Sequence, residues 1–415
     1  MIRAADYVPA PTLQDGWLVQ RVGDLVDLVN GHPFSSEDFA AEGDIPLVRI
    51  RDLTADEFDI YVPRGVVPRR AVLEAGDVVV GMDGDFNVVV WDRGPAALNQ
   101  RLCMLRPLAG TDHMFVAYAL PALLKVVNDL TFSTTVKHLS SSDILGQRLP
   151  APSIDEQRRI ADFLDAETSH LDQLMALRDR QVTLLSERTS LRWQGILDDQ
   201  AGSDLVPLRR HLVSIADGPF GSSLKSSHYT DGGARVIRLG NVGTGEFLDG
   251  DEAFVSMDYF EELQAYAARA GDVVIAGLGD SSRPVGRACV VPDIGAAIVK
   301  ADCYRLRFDK AGLLHDYAAL AISAPRVTSR TATLSRGSTR TRINTDVARE
   351  IAIPVPALSI QRSVVAAIAE TRQESARLQS ALTGQVSLLR ERRQALITAA
   401  VTGQFDVTTA TVRMP

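Results

Sequence analysis

The chain has 415 residues, 46% of them hydrophobic and 23% charged, the proportions of a globular protein too long for one ordinary core, so two or more domains are expected. No apolar run reaches the ~18 residues of a membrane span, and the opening MIRAADYVPAPTLQDG lacks the apolar core of a secretory signal. A net charge of −8 argues against a uniformly basic nucleic-acid binder but leaves room for local basic faces, and between Arg326 and Arg342 there are five arginines and no acid.

In chain order the first half carries LVQRVGDLV (18–26), IPLVRIRDL (45–53), EAGDVVVG (74–81) and CMLRP (103–107), and short Val/Ile-rich runs bounded by Gly, Asp and Pro, such as VVVGM from Val78, predict strands. FVAYALPALLKVV (115–127) predicts a helix. Pro150 and Pro152 then close a strand, because proline is excluded from a helix interior. Ser153-Ile-Asp-Glu156 has the form of a capping box, in which the Ser153 hydroxyl would cap the Glu156 N–H. No proline and only Gly195 follow until about 197, enough for about 44 residues, or roughly 65 Å, of continuous helix.

After residue 200 the same text begins again. LVPLRRHLV (205–213), ARVIRLGNV (234–242), RAGDVVIA (269–276) and YRLRF (304–308) follow the first-half segments in order, with VIRL and DVVIA again strand-like. Asn30-Gly-His-Pro-Phe-Ser-Ser36 resembles Asp217-Gly-Pro-Phe-Gly-Ser-Ser223, and HDYAALAIS (315–323) repeats the late helix. Pro354, Pro356 and Gln361-Arg362 then repeat Pro150, Pro152 and Gln157-Arg158 at an offset of 204 residues. The offset grows from 187 to 195 to 204 along the chain, so the second copy carries loop insertions. A period near 200 residues is too long for a solenoid. It predicts two α+β domains of one fold, each with a compact, mostly antiparallel sheet and each closed by a long helix, the second from Ser359 to about Val401.

Long helices draw their stability from packing, so each needs a partner. Ile368, Leu382, Leu389 and Leu396 share one heptad position, broken by Ser375. Leu164, Leu171 and Leu185 share the matching frame in the first helix, with Arg178 and Arg192 as interruptions. Matching heptads within one chain predict an intramolecular coiled coil.

Two variable globular units, each closed by Pro-x-Pro, Gln-Arg and a long helix, resemble the specificity (S) subunit of type I restriction–modification systems. The tail from Leu388 to Phe405, LLRERRQALITAAVTGQF, is similar to that family's closing signature. The resemblance covers nearly the whole chain and implies two target-recognition domains, at 1–150 and 201–352. A central helix at 151–200 and a distal helix at 353–405 would pack antiparallel with pseudo-twofold symmetry, followed by a tail at 406–415. It implies a chain that reads a bipartite site on double-stranded DNA, one half-site per domain, with the helices as a ruler. It further implies docking of two adenine-N6 methyltransferase subunits, and of motor–nuclease subunits for restriction. S-adenosylmethionine would belong to the first partner, ATP and Mg to the second, and no cofactor to this chain. A coiled-coil adaptor that bridges two proteins without touching DNA is the rival reading.

Phosphate contacts need cations or N–H-rich loops, and base readout needs Arg, Lys, Asn, Gln, Ser or Thr at a reachable edge. The first candidate is Ser335–Arg342, where Arg336, Arg340 and Arg342 alternate with small residues including Ser338 and Thr339. Its aligned counterpart ends in Lys137 and His138. The second is the early Gly/Ser loop, with Ser35 and Ser36 in the first copy and Ser222, Ser223 and Lys225 in the second. Third comes the loop after the Gly-Asp-Val-Val strand, with Asp83 and Asp85 in one copy and Arg283 in the other. Arg49 and Arg238 align too, as DNA contacts or as structural ion pairs.

Catalytic chemistry is not expected. Asp217-Gly-Pro-Phe220 only faintly resembles the Asp/Asn-Pro-Pro-Tyr/Phe loop of adenine methyltransferases, with Gly in place of the first Pro. No Walker A motif appears, and no two of the seven histidines have metal-ligand spacing. Cys103, Cys289 and Cys303 form no Cys-x-x-Cys pair, so neither a zinc knuckle nor a disulfide framework is expected, and a reducing cytoplasm is the simplest setting.

Overall fold

The computed structural model describes residues 16–130, 137–201, 204–280, 282–309, 311–335 and 341–407. It divides into two compact units, one reaching to Arg178 and resuming at Gly384, the other spanning Asp179–Thr383. The division runs through both long helices, Ile154–Ala201 and Leu358–Val401.

The first unit is built on a four-stranded antiparallel sheet in the order Val26–Asn30, Leu102–Pro107, Val78–Gly81, Val88–Val90. A second sheet runs Tyr61–Val62, Ile45–Val48, Ala96–Leu98, Val72–Leu73, with a parallel pair at its centre. The second unit repeats this plan. Its first sheet is Leu212–Ala216, Cys303–Phe308, Val273–Ala276, Ala288–Val290. Its second has the same parallel centre, Ala234–Ile237 beside Ala297–Val299, and one extra edge strand, Tyr229–Thr230. The extra strand falls where the repeat offset first grows.

Unbroken apolar runs such as Val78-Val-Val80 mark strands buried on both faces. Val78 and Val80 point into the core shared with helix His113–Leu130, while Val79 packs against the second sheet. Val273 and Ile275 face the helices, and Val274 and Ala276 face the second sheet. The Gly-Asp preceding each run has two separate roles. Gly76 and Gly271 turn the chain at φ of 93° and 87°, where a side chain would be strained. Asp77 and Asp272 are buried and grip Arg106 and Arg307 across the sheet through two nitrogens each.

The repeated glutamine has one structural task in both copies. Gln157 Nε2 donates to the Pro152 carbonyl at 2.9 Å, and its Oε1 accepts from the Asp112 N–H at 2.9 Å. Gln361 Nε2 donates to the Pro356 and Gly312 carbonyls at 2.8 and 3.0 Å, and its Oε1 accepts from the Leu314 N–H at 2.9 Å. Each glutamine is fully buried and ties the Pro-x-Pro strand to the turn that starts the late helix. The neighbouring Arg158 and Arg362 are exposed. At the start of the first long helix the expected capping box is not what forms. The N–H groups of Glu156 and Gln157 bond to the Ser153 carbonyl, not its hydroxyl, and side-chain anchoring falls to Gln157.

Within each unit the two long helices are antiparallel. In the first, Phe163 lies 5.6 Å from Phe405 between ring centroids, and Asp172 pairs with Arg393 at 3.0 Å. In the second, Ser186, Thr189 and Gln200 bond to Gln379, Ser375 and Ser363 in turn. Of the heptad residues, Leu164, Leu171 and Ile368 are buried and Leu185, Leu382, Leu389 and Leu396 are half-buried. Two of the heptad interruptions meet partners on the facing helix. Ser375 bonds Thr189 at 2.8 Å, and Arg192 pairs with Glu374 at 3.2 Å.

Burial pushes the thiols of Cys103 and Cys289 up to about 12, and that of Cys303 further, so all three are inert packing residues. Among the described residues no helix is long and apolar enough to cross a membrane, and no His/Cys/Asp/Glu cluster could hold a metal ion.

Candidate nucleic-acid interface

In both units, segments far apart in sequence meet at one end of the first sheet. The chain following the late helices returns to pair with the residues just beyond the Gly-Asp-Val-Val strand. In the first unit this is an isolated bridge between Asp83 and His138. In the second it is a short antiparallel pair, Leu278–Gly279 with Thr341–Arg342, in which Leu278 faces Arg342. The strand registers therefore match His138 to Arg342 and Asp83 to Leu278. By the same alignment Arg101 matches Asp302, each directly before the central strand.

The matched positions hold different chemistry. In the first unit the carboxylate is Asp83, which bonds His138 Nδ1 at 2.7 Å and lies 3.4 Å from Arg101. In the second unit the carboxylate is Asp302. Its Oδ1 accepts from Arg342 Nε at 2.9 Å and lies 2.8 Å from Nη2. The Arg342 guanidinium also sits over the Phe220 ring, 5.9 Å from its centroid. Lys137 turns inward and donates to the Asn128 carbonyl and side chain at 2.5 and 2.8 Å, near the C-terminal end of the late helix, where a cation is favoured. Arg336, Ser338, Thr339 and Arg340 lie outside the described residues.

The Gly/Ser loops reach the same end. Gly31 and Gly218 are required by contact with a neighbouring backbone: a Cβ there would lie 1.9 Å from the Asn99 carbonyl oxygen or 2.1 Å from the Lys300 carbonyl carbon. Their N–H groups are already used, by the Leu102 carbonyl and by Asp217 Oδ1. The close packing of these glycines thus serves the fold. Ser35 accepts from the Glu37 N–H, and Ser36 is exposed beside Glu37 and Asp38. The Ser223 carbonyl accepts from Tyr259, Lys225 is exposed, and the Ser222 side chain lies outside the described set. Arg283 is exposed on a turn held by Asp280, whose carboxylate the Ser282 hydroxyl and nearby N–H groups keep down at about 2. Arg49 and Arg238 are structural. Arg49 pairs with Asp52 at 2.7 Å and with Asp59, and Arg238 pairs with Asp251.

Sequence reasoning missed Asp302 and Arg101, although their matched places before the central strand were a usable signal. It also set Asp217 aside with the faint methyltransferase resemblance. Asp217 Oδ1 accepts from the N–H groups of Gly218 and Asp302, at 2.8 and 3.0 Å, and so ties the early loop to the site. Burial pushes its carboxyl up to about 6 from an ordinary 3.8; those two bonds and Arg342 oppose the rise, and Asp302 adds to it. A carboxyl raised in the fold stabilises below its unfolded value, and that contribution is lost as the pH rises through about 6. Asn would keep the Oδ1 acceptor without the charge. Asp217→Asn is therefore expected to stabilise the second unit at pH 7 by about 1–2 kcal/mol, below the full linkage value because the residue is only half-buried. It should change little near pH 3, as urea midpoints at the two pH values would test.

Residues 14–183 match the family model described as the type I restriction modification DNA specificity domain. The chain is 36% identical over 167 residues to the type I restriction enzyme EcoBI specificity subunit of Escherichia coli, covering 40% of this chain and 35% of that one. It is 21% identical over 279 residues to the MjaVIII specificity subunit of Methanocaldococcus jannaschii, covering 63% and 64%. The matched stretches thus span about a third to two thirds of these relatives' own lengths. One solved chain, described under "Structural basis underlying complex assembly and conformational transition of the type I R-M system", has a TM-score of 0.66 at 19% identity. That likeness of fold covers 95% of this chain and 100% of the other. The specificity-domain model thus matches the first half of the chain, the second half builds the same fold again, and the chain as a whole is similar to type I restriction–modification specificity subunits.

Proposed function

We propose that this chain is the DNA-reading subunit of a type I restriction–modification complex. Each unit reads one half of a bipartite site. The long helices set the unread gap and dock two adenine-N6 methyltransferase subunits, and motor–nuclease subunits join for restriction. Methyl transfer with S-adenosylmethionine, and ATP- and Mg-dependent translocation, are the work of those partners. This chain contributes recognition. What carries the reading is the pair of matched sheet ends, alike in backbone and unlike in charged side chains: His138, Asp83 and Arg101 in one, Arg342, Leu278 and Asp302 in the other. Two copies of a scaffold with different polar tips suit two different half-sites, and tandem readers on one chain gain effective concentration only at a matching spacing. A net charge of −8 suits a subunit that meets DNA inside a larger assembly.

The test is a genome-wide map of N6-methyladenine with the gene present and deleted. Deletion should erase methylation at one bipartite motif. Unchanged methylation, with the partner methyltransferase shown to be active, would refute the reading.

A further inference from the structure

The proposal rests on the DNA-reading function and assigns one contact within it. Arg342 Nε and Nη2 are both held by Asp302 Oδ1, and the guanidinium lies over Phe220. Asp302 is itself fixed. Its backbone has φ of 67°, its N–H donates to Asp217 Oδ1 at 3.0 Å, and its carbonyl accepts from the Gly277 N–H at 2.7 Å. Arg342 therefore sits on a built mount. Its side chain is still half exposed, 52% against 20% for Asp302. With the Nε side occupied, the free protons are those of Nη1 and the outward one of Nη2, at the end of the fork. Two parallel donors match a base edge with two adjacent acceptors. In the major groove only guanine offers that pair, O6 and N7.

The carboxylates also select base over phosphate. Asp302 largely cancels the arginine's charge, and Asp217 adds a second carboxylate close by. A phosphate approaching this group meets little net attraction, whereas the neutral edge of guanine needs only directed hydrogen bonds. Because Asp302 already orders the side chain, little conformational freedom is lost on binding. The matched residue of the first unit could not make this contact. His138 is held through Nδ1 by Asp83 and has only Nε2 to offer.

We propose that Arg342, positioned by Asp302 and Phe220, reads a guanine of the second unit's half-site end-on in the major groove. The experiment uses the full chain assembled with its methyltransferase partner and a library of duplexes randomised one position at a time. Methylation is read for the wild type, Arg342→Ala, Arg342→Lys and Asp302→Asn. Arg342→Ala and Arg342→Lys should each lower use of the cognate site by roughly 10- to 100-fold. Both should relax one guanine position in one half-site and leave the other half-site's preferences intact. Lysine keeps the charge but not the fork, so rescue by Arg342→Lys would overturn the bidentate reading. Asp302→Asn should relax the same position more weakly. Equal weakening on every sequence, with a shallower salt dependence, would mean a phosphate contact and overturn the proposal. Unchanged preferences in correctly folded variants of a sequence-specific complex would overturn it while leaving the DNA-reading function intact. A wild-type complex with no sequence preference would overturn both.

Discussion

Gln361→Leu is expected to destabilise the second unit by about 3–5 kcal/mol, with Gln157→Leu doing the same in the first. Leucine is close in volume, so no large cavity explains the cost. The loss is polar. Gln361 is fully buried and makes three hydrogen bonds, to the Pro356 and Gly312 carbonyls and from the Leu314 N–H. A leucine leaves all three part-buried backbone groups without a partner, and each orphaned group costs about 1–3 kcal/mol. Gln361→Glu should also destabilise, because a carboxylate can accept from Leu314 but cannot donate to the two carbonyls. Urea unfolding of the full chain measures both. A change under about 1 kcal/mol would mean that the turn relaxes and water takes over.

Asp272→Ala is the second large effect, expected at about 3–5 kcal/mol. Asp272 is buried, and its two oxygens bond Arg307 Nε and Nη2 at 2.8 Å each. Its Oδ2 also accepts from the Arg269 N–H at 2.9 Å, closing the turn at Gly271. Arg305 is buried nearby and bonds the Ala267 carbonyl at 2.8 Å; burial and Arg307 both hold its pKa down. Removing the carboxylate therefore strands two neighbouring guanidinium groups without their counter-ion. The paired change Asp272→Ala with Arg307→Met should recover much of the loss, since deleting both partners removes the uncompensated charge. If the double variant is no more stable than Asp272→Ala alone, the ion pair is not what the site depends on. Asp77 and Arg106 make the same arrangement in the first unit.

Periodicity and punctuation made the architecture legible. Pro-x-Pro, the buried glutamine and the glycine-poor stretches after them signal strand, clamp and long helix from local chemistry alone, and the doubled text signals two copies. The candidate site was less legible because tertiary contact makes it. Arg342 and Asp302 are 40 residues apart, Asp217 is 85 from Asp302, and no local pattern joins them. Ser375 looked like a defect in a leucine series, yet it is a buried partner for Thr189, 186 residues away. Gly31 and Gly218 read as loop residues available to an anion, whereas a neighbouring backbone lies where a Cβ would be. In each case the partner, not the residue, carried the missing information.

The central strand of each first sheet, Leu102–Pro107 or Cys303–Phe308, begins at the polar tip, and the turn after its end is gripped by the buried glutamine. Six residues, about 20 Å of strand, stand between them. The loops at the start can thus change length and charge without disturbing the anchorage beyond the other end. Because the Pro-x-Pro and glutamine text is nearly the same in both copies, a crossover there would graft a foreign unit onto its own fastening. The differences between the two copies and their attachment thus lie at opposite ends of one short strand.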